Sequence, residues 1–259
     1  MDNQAARPRV GLALGGGAIR GLAHVGVLAE LVRAGIPVDV VAGTSVGAII
    51  GALFAAGLDL AEIEYVATKM RWRNVARPIW PRHGLLSFEP LERTLVRLLG
   101  DLTFADLALP FATICTDMRT GTQVVISEGR LAPAVRASAS VPGIVAPLEV
   151  GPYLLADGAL VNNTPASMVR ALGADYIIGV DIMSPNFLRA TGPLRLAFMA
   201  LEIAIANSGT GRAHSDYFIV PRLGGLTYIL FSARETLIEH GREAGAAAAP
   251  EIRQALGLS

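Results

Sequence analysis

Ser45 is the residue whose setting most clearly indicates chemistry. It lies in the pentapeptide Gly43-Thr44-Ser45-Val46-Gly47, between a run typical of a buried strand (38–42) and one typical of an apolar helix (46–56). A sharp strand-to-helix turn with flanking glycines exposes a serine hydroxyl, and the N–H of Val46 can donate to an oxyanion. The turn therefore predicts a nucleophilic serine. The alternative is an ordinary glycine-rich turn in which Ser45 caps the helix.

A glycine-rich loop, residues 15–21, follows the first predicted strand (10–14). Consecutive glycines expose backbone N–H groups, so Gly16 and Gly17 are candidate donors to an oxyanion. A dinucleotide-binding fingerprint would need glycine where Arg20 stands, and the sequence has no phosphate-binding GxxxxGK[ST] loop. The alternative is a tight turn where a helix packs closely on a strand. Arg20 is expected to position the loop or to contact a phosphate head group.

A serine nucleophile needs a general base. His24 lies within the first apolar helix and is expected to be a half-buried, hydrogen-bonded core residue, and none of the other three histidines directly follows a predicted strand. Asp157 follows a predicted strand (153–156) and precedes a glycine, so its carboxylate can reach the sheet edge near Ser45. Asp181 follows another strand (176–180) and is the rival base. A Ser-His-Asp triad and a simple turn-capping role for Asp157 stay open as alternatives.

Composition excludes some classes of function and favours others. The chain has 259 residues, of which 52% are hydrophobic and 17% charged, and its mean hydropathy is +0.48. Such a chain builds a large aliphatic core without needing a disulfide or a metal. Twenty-two basic and 22 acidic residues give zero net charge, so nucleic-acid binding has no electrostatic support. Cys115, the only cysteine, fits a reducing compartment.

Strands alternate with helices along the chain, which predicts an α/β fold with a mostly parallel sheet covered on both faces. We expect a flexible N-terminus (1–8) and a single domain (9–259). Residues 71–87 differ from the rest, because they contain both tryptophans and a cluster of arginines. They are expected to form an irregular loop packed on the core, or a membrane-contacting lid. Pro250 is expected to end or kink the terminal helix (235–256).

The N-terminal residues lack the apolar stretch of a signal peptide. Residues 38–58 are the most membrane-like segment, but they contain Asp39 and four glycines and are interpreted as strand, turn and helix. The protein is predicted to be cytoplasmic. Peripheral attachment to the inner face of a membrane is also compatible with this prediction. The oligomeric state is not predicted.

Three motifs in order, the glycine loop, residues 43–47 and Asp157-Gly158-Ala159, resemble the patatin-like phospholipase family. The resemblance extends to three further segments, RASASVPG (136–143), DGALVNNTP (157–165) and ADYIIGVD (174–181). It covers roughly residues 9–181. The spacing of about 110 residues between the serine and the aspartate is similar to that of the short bacterial members.

The resemblance implies a three-layer α/β/α sandwich and a Ser-Asp dyad, with Ser45 as nucleophile and Asp157 as base. It also implies an oxyanion hole built from Gly15, Gly16, Gly17 and Val46, and hydrolysis of lipid acyl esters without metal or cofactor. The residues that complete the motifs are Arg20, Gly21, Gly43, Gly47, Gly158 and Ala159. Two other functions stay open, a soluble carboxylesterase or thioesterase and a regulatory lipid-binding relative with little turnover.

Overall fold

The computed structural model describes residues 7–183, 192–209, 211–224 and 233–258. Ten strands are found there. They are β1 (Val10–Leu14), β2 (Val40–Thr44), β3 (Arg77–Pro78), β4 (Leu86–Ser87), β5 (Phe111–Asp117), β6 (Gln123–Ile126), β7 (Leu148–Val150), β8 (Tyr153–Asp157), β9 (Tyr176–Val180) and β10 (Tyr217–Ile219).

Ten α-helices connect or flank these strands in the described residues. They are α1 (Leu22–Arg33), α2 (Val46–Ala55), α3 (Leu60–Lys69), α4 (Trp72–Val75), α5 (Glu89–Leu99), α6 (Leu131–Ser138), α7 (Ala166–Ala171), α8 (Pro193–Ala206), α9 (Gly211–His214) and α10 (Arg234–Ala255). A short 3-10 helix at Ala18–Gly21 precedes α1.

Eight of the strands form one sheet in the order β10-β9-β1-β2-β5-β8-β7, with β6 also paired to β5. The first five strands of this order are parallel, and β6, β7 and β8 add antiparallel pairs. Helices cover both faces, so the predicted α/β/α fold with a mostly parallel sheet is confirmed.

Alternation along the strands divides the core between the two faces of the sheet. In β1, Leu12 and Leu14 pack into the larger cluster, with side chains from α1, α2 and α10, whereas Ala13 packs into a smaller cluster with α7. Aliphatic side chains at every position of β1 and β9, apart from Gly11, Tyr176 and Gly179, let both faces be buried.

The pairing of β5 decides where the functional residues meet. Ile114 of β5 pairs with Thr44 of β2, and the next residue, Cys115, pairs with Asp157 of β8. Because β6 already pairs with these two β5 residues, β2 and β8 must share the opposite edge of β5. The two strands run in opposite directions, so their carboxyl ends meet head-on.

Several local predictions need correction. The second strand is Val40–Thr44 rather than 38–42, so it continues to the residue before Ser45. Pro250 does not end the terminal helix, since α10 runs unbroken from Arg234 to Ala255. Residues 71–87 are not wholly irregular, because they contain α4 and the short antiparallel pair β3–β4.

The predicted flexible N-terminus lies largely outside the described residues. Arg7, which that prediction included, is held by a two-point ion pair with Asp39, with N–O distances of 2.6 and 2.7 Å. In the described part of the chain, no helix has the length and apolar character needed to cross a bilayer.

Helix α2 approaches β1 so closely that only glycine fits at its second residue. A Cβ on Gly47 would lie 2.1 Å from the carbonyl oxygen of Leu14. We therefore expect Gly47→Ala to lower the free energy of unfolding by at least about 2 kcal/mol, because backbone rather than a flexible side chain must move. Urea denaturation followed by circular dichroism measures this change.

Gly224→Ala is the matched control, since a Cβ there meets no atom of the described residues within 4 Å. Its unfolding free energy should stay within about 0.5 kcal/mol of that of the parent. Equal stability of the two variants would contradict the close packing of α2 on β1.

Candidate active site

Ser45 occupies the turn between β2 and α2 in a backbone conformation that side chains rarely adopt. Its φ is 56° and its ψ is −122°. Among the described residues, the only other non-glycine residue with positive φ is Ala18, in the glycine loop. Such strain persists only where surrounding structure holds it, and it is frequent at functional sites. The turn thus has the form of a nucleophile elbow.

The hydroxyl of Ser45 donates a hydrogen bond to the carboxylate of Asp157, with an Oγ–Oδ2 distance of 2.6 Å. The other oxygen, Oδ1, accepts a hydrogen bond from the backbone N–H of Ala159 at 2.9 Å. Both side chains are nearly buried, at 7% and 3% exposure. The structure thus brings together the serine and the aspartate that the sequence singled out.

Burial changes the acidity of the Asp157 carboxyl group. Removal from water raises its pKa from an ordinary value of 3.8 to about 6, against the opposing effect of the hydrogen bonds from Ser45 and Ala159. A carboxylate with this pKa is a stronger base than an exposed aspartate, and it is still largely ionised at neutral pH.

Three buried hydroxyl groups fix the backbone around the pair. Ser138 Oγ accepts from the N–H of Ser45 at 2.9 Å and donates to the carbonyl of Ile114. The hydroxyls of Thr113 and Thr116 donate to the carbonyls of Gly43 and Asp157, respectively. The two chain segments that carry the pair are therefore tied to β5 and α6 by side chains as well as by the sheet.

The glycine loop lies against Ser45, but two of its N–H groups are already used. Gly15 N–H donates to the carbonyl of Val180 at 2.9 Å and so continues the β1–β9 pairing. Gly16 N–H donates to the side-chain oxygen of Asn163 at 3.0 Å. In this structure the N–H of Gly15 therefore already has an acceptor, which leaves it unavailable to an oxyanion. Among the described residues, the N–H groups of Gly17 and Val46 have no acceptor.

Asn163 is a site residue that the sequence analysis did not single out. Its amide oxygen accepts from Gly16, and its amide nitrogen faces Asp181 Oδ1 at 3.5 Å. A Cβ on Gly16 would lie 2.9 Å from that amide oxygen and 3.2 Å from Ser45 Cβ. The position of Asn163 in the segment 157–165 was the available signal.

Asp181, the rival base, does not bond to Ser45. Its Oδ1 accepts the N–H of Met183 at 2.8 Å, and burial raises its pKa. Ser45 Oγ bonds to Asp157 rather than to an imidazole.

His24 and Arg20 are buried polar residues at the glycine loop. His24 is fully buried rather than half-buried, and its Nε2–H donates to the carbonyl of Gly15 at 2.8 Å. Desolvation lowers its pKa to about 4, so the ring is neutral at physiological pH. Arg20 is also fully buried, which favours a positioning role over contact with a head group.

Close packing accounts for the remaining glycines of the three motifs. A Cβ on Gly21 would lie 2.1 Å from a methyl group of Val46, and one on Gly43 would lie 2.4 Å from the Gly47 carbonyl oxygen. A Cβ on Gly158 would lie 2.2 Å from the carbonyl oxygen of Ile114. These glycines let the glycine loop pack on the turn at Ser45, let that turn close tightly, and let the segment after Asp157 pack on β5.

A hollow of about 450 Å³ opens beside Asn163. Asp181, Arg212 and Phe218 line it, and the Arg212 guanidinium lies 4.7 Å from the centre of the Phe218 ring. The hollow combines an apolar wall with charged and amide groups, which is typical of sites for small amphipathic ligands.

The family model for patatin-like phospholipases matches residues 12–170, more than half of the chain. The chain belongs to the patatin-like phospholipase family. An uncharacterised NTE family protein of Mycobacterium tuberculosis is 35% identical over 178 residues, which make up 68% of this chain and 49% of that protein. Patatin-like phospholipase domain-containing protein 6 of Homo sapiens is 36% identical over 190 residues, 68% of this chain and 14% of that protein.

This patatin-like chain thus spans about half the length of its mycobacterial relative and a small part of the human one. Two solved structures are similar in fold. VipD from Legionella pneumophila has a TM-score of 0.61 at 12% identity, over 97% of this chain and 68% of that one. The type III effector ExoU has a TM-score of 0.56 at 16% identity, over 95% of this chain and 53% of that one.

Asp157→Asn should change stability in a pH-dependent way. Folding raises the pKa of this carboxyl group, so its ionisation costs stability as the pH rises from about 4 through about 6. The variant removes that cost, and we expect its unfolding free energy to exceed that of the parent by roughly 1–3 kcal/mol at pH 8. At pH 4 the gain should largely vanish. Urea denaturation at the two pH values measures the difference.

Asp117→Asn is the control of opposite sign. Hydrogen bonds from Leu154, Thr120 and Arg119 lower the pKa of Asp117, so its ionised form stabilises the fold above its unfolded pKa. This variant should lose stability at pH 8. A loss at pH 8 in the Asp157 variant as well would contradict the raised pKa of Asp157.

Proposed function

We propose that the protein is a serine acyl hydrolase that cleaves fatty-acyl esters of phospholipids or lysophospholipids. Ser45 is the nucleophile and Asp157 the base. The observation that carries this proposal is the 2.6 Å hydrogen bond between the two side chains at a strained strand-to-helix turn. Membership of the patatin-like phospholipase family supports a lipid ester as the substrate.

In the first half-reaction, Ser45 Oγ attacks the ester carbonyl carbon while its proton passes to Asp157 Oδ2. The carbonyl oxygen becomes an oxyanion at the amino end of α2, where the helix dipole favours negative charge. The N–H groups of Gly17 and Val46 donate to it, and that of Gly16 joins them once the Asn163 amide turns aside. The intermediate then expels the alcohol, which takes the proton from Asp157.

In the second half-reaction, a water molecule attacks the acyl-serine ester. Asp157 accepts a proton from that water and returns it to Ser45 Oγ as the ester bond breaks. The fatty acid leaves and the hydrogen bond between the two side chains re-forms. The hollow beside Asn163, whose amide oxygen accepts from Gly16, has the volume to hold part of the substrate.

Ser45→Ala tests the nucleophile. We expect it to abolish hydrolysis of lysophosphatidylcholine and of a short nitrophenyl ester, and to abolish covalent labelling by a fluorophosphonate, because no attacking oxygen is left. Initial rates and mass spectrometry of the labelled protein measure both effects. If the parent protein hydrolyses the soluble ester but not the lipid, the result would instead support a carboxylesterase.

Ser215→Ala is the control for this test. Its hydroxyl donates to the carbonyl of Gly211 and lies before β10, away from the carboxyl ends of the strands. This variant should keep parental activity and labelling. Parental turnover by correctly folded Ser45→Ala would disprove the proposed nucleophile.

The pH dependence tests the base. Asp157 must be ionised to accept a proton, so kcat/KM should rise about tenfold per pH unit at low pH and level off above about pH 6. Asp157→Asn should lower kcat by roughly 10²–10⁴-fold and remove this inflection. Stopped assays with the nitrophenyl ester from pH 4 to pH 9 provide both curves. An unchanged inflection in the variant would assign the base to another group.

A further inference from the structure

A basic and aromatic stretch interrupts the even charge distribution of the chain. Between residues 69 and 88 there are five cationic side chains and no acidic one, so the remainder carries five more acidic than basic residues. The cations are Lys69, Arg71, Arg73, Arg77 and Arg82. In the described part of the chain, Arg77 pairs with Glu89, whereas Arg71, Arg73 and Arg82 form no ion pair. The stretch is thus a local positive surface on a neutral protein.

Large apolar side chains stand exposed within this stretch. Trp80 is 82% exposed and Leu85 is 58% exposed. Burying a side chain of this size contributes about 2–3 kcal/mol or more, so leaving both in water is costly unless something else covers them. Neither residue can be explained as part of the core.

Trp80 is presented by a hydrogen-bonded hairpin, which we call the Trp80 hairpin (residues 77–87). Strands β3 and β4 close its base, and Ile79 N–H donates to the carbonyl of Leu85 at 3.1 Å. The N–H groups of Leu85 and Leu86 both donate to the carbonyl of Ile144, and Ala146 N–H donates back to Leu86. The exposed side chains are therefore held in place by backbone pairing.

The Trp80 hairpin adjoins the active site through the loop on which it rests. That loop begins at Ser140, whose carbonyl accepts the N–H of Asp157 at 2.9 Å. Four residues later, Ile144 holds the hairpin and is itself 38% exposed. One continuous loop, residues 140–146, therefore bonds both to the hairpin and to the backbone of Asp157.

We propose that the Trp80 hairpin, together with Arg71, Arg73 and Arg82 of the same basic stretch, docks the protein on an anionic phospholipid bilayer. Tryptophan favours the interface between head groups and acyl chains, and arginine is attracted to negatively charged lipid. The choice of a bilayer over an acidic protein rests on the proposed function, since the acyl substrate lies in the bilayer and the loop that bonds to the hairpin also bonds to Asp157.

Vesicle binding tests this proposal with the Ser45→Ala protein, so that the lipid stays intact. We expect sedimentation with vesicles of phosphatidylcholine and phosphatidylglycerol, and at least about tenfold weaker partition into phosphatidylcholine alone. Added salt should weaken binding to the anionic vesicles. Trp80→Ser and Arg82→Glu should each lower partition roughly tenfold. Both side chains are exposed, so both variants should fold.

Arg97→Glu is the matched control. Arg97 is exposed, forms no ion pair among the described residues, and lines a shallow hollow with Arg130 at the end of α6 remote from Ser45. The Arg97→Glu substitution changes the net charge by the same amount as Arg82→Glu. It should alter partition less than about twofold if the hairpin rather than the net charge directs binding. An equal loss in Arg97→Glu and Arg82→Glu would overturn the proposal.

Fluorescence gives a second measurement of where the tryptophan goes. In a Trp72→Phe background Trp80 is the only tryptophan. Lipids brominated on the acyl chain should quench its emission, and transfer of the indole from water to the bilayer interface should shift that emission to the blue. Absence of quenching together with equally tight binding to soluble polyglutamate would overturn the bilayer in favour of an acidic protein. Unchanged vesicle binding by the Trp80→Ser variant would also overturn the docking proposal.

The docking proposal and the hydrolase proposal can be refuted independently of each other. With Ser45 restored, Trp80→Ser should hydrolyse the soluble nitrophenyl ester at the parental rate while losing activity on anionic vesicles. Loss of vesicle binding with ester hydrolysis intact refutes docking alone. Vesicle binding by a protein whose Ser45 never reacts refutes the hydrolase and leaves docking in place.

Discussion

Two strands that meet head-on along one edge of β5 are the constraint on which the site depends. β2 runs parallel to β5 and β8 antiparallel to it, and their last residues pair with the consecutive residues Ile114 and Cys115. A parallel strand alone would place the serine at the sheet edge with nothing opposite it. The antiparallel return of β8 puts a carboxylate at 2.6 Å from the hydroxyl, although 112 residues separate the two in the chain.

This meeting point is energetically unfavourable in two ways that the surrounding structure offsets. Ser45 is held at positive φ, and Asp157 is removed from water. Hydroxyl groups from Ser138, Thr113 and Thr116 anchor the strand ends, and glycines allow backbone segments to touch where a Cβ would collide. The raised pKa of Asp157 shows the cost of burial in the same group that the proposed chemistry uses.

The glycine loop shows how a motif can divide its work among its residues. Gly15 bonds to Val180 of β9, Gly16 bonds to Asn163, and the N–H of Gly17 has no acceptor in the described structure. His24 holds the loop through a hydrogen bond from its ring N–H to the Gly15 carbonyl. Its buried ring is neutral, because burial lowers its pKa. Histidine is the usual base for serine nucleophiles, but in this site His24 holds the glycine loop in position instead.

The sequence by itself determined the fold class and indicated Ser45, with Asp157 and Asp181 as its candidate partners. Alternating aliphatic runs and glycine turns predicted the parallel sheet, and the turn around Ser45 and the motif at Asp157 indicated the two side chains. These features are local, because periodicity and turn chemistry depend on neighbouring residues. Only the tertiary structure decided which groups are free to act. The hydrogen bond from Ser45 to Asp157 rather than to Asp181, the bond from Gly15 to Val180, the contact between Asn163 and Gly16 and the exposure of Trp80 are examples. Each depends on how segments far apart in the chain pack together, and local sequence patterns do not report that packing.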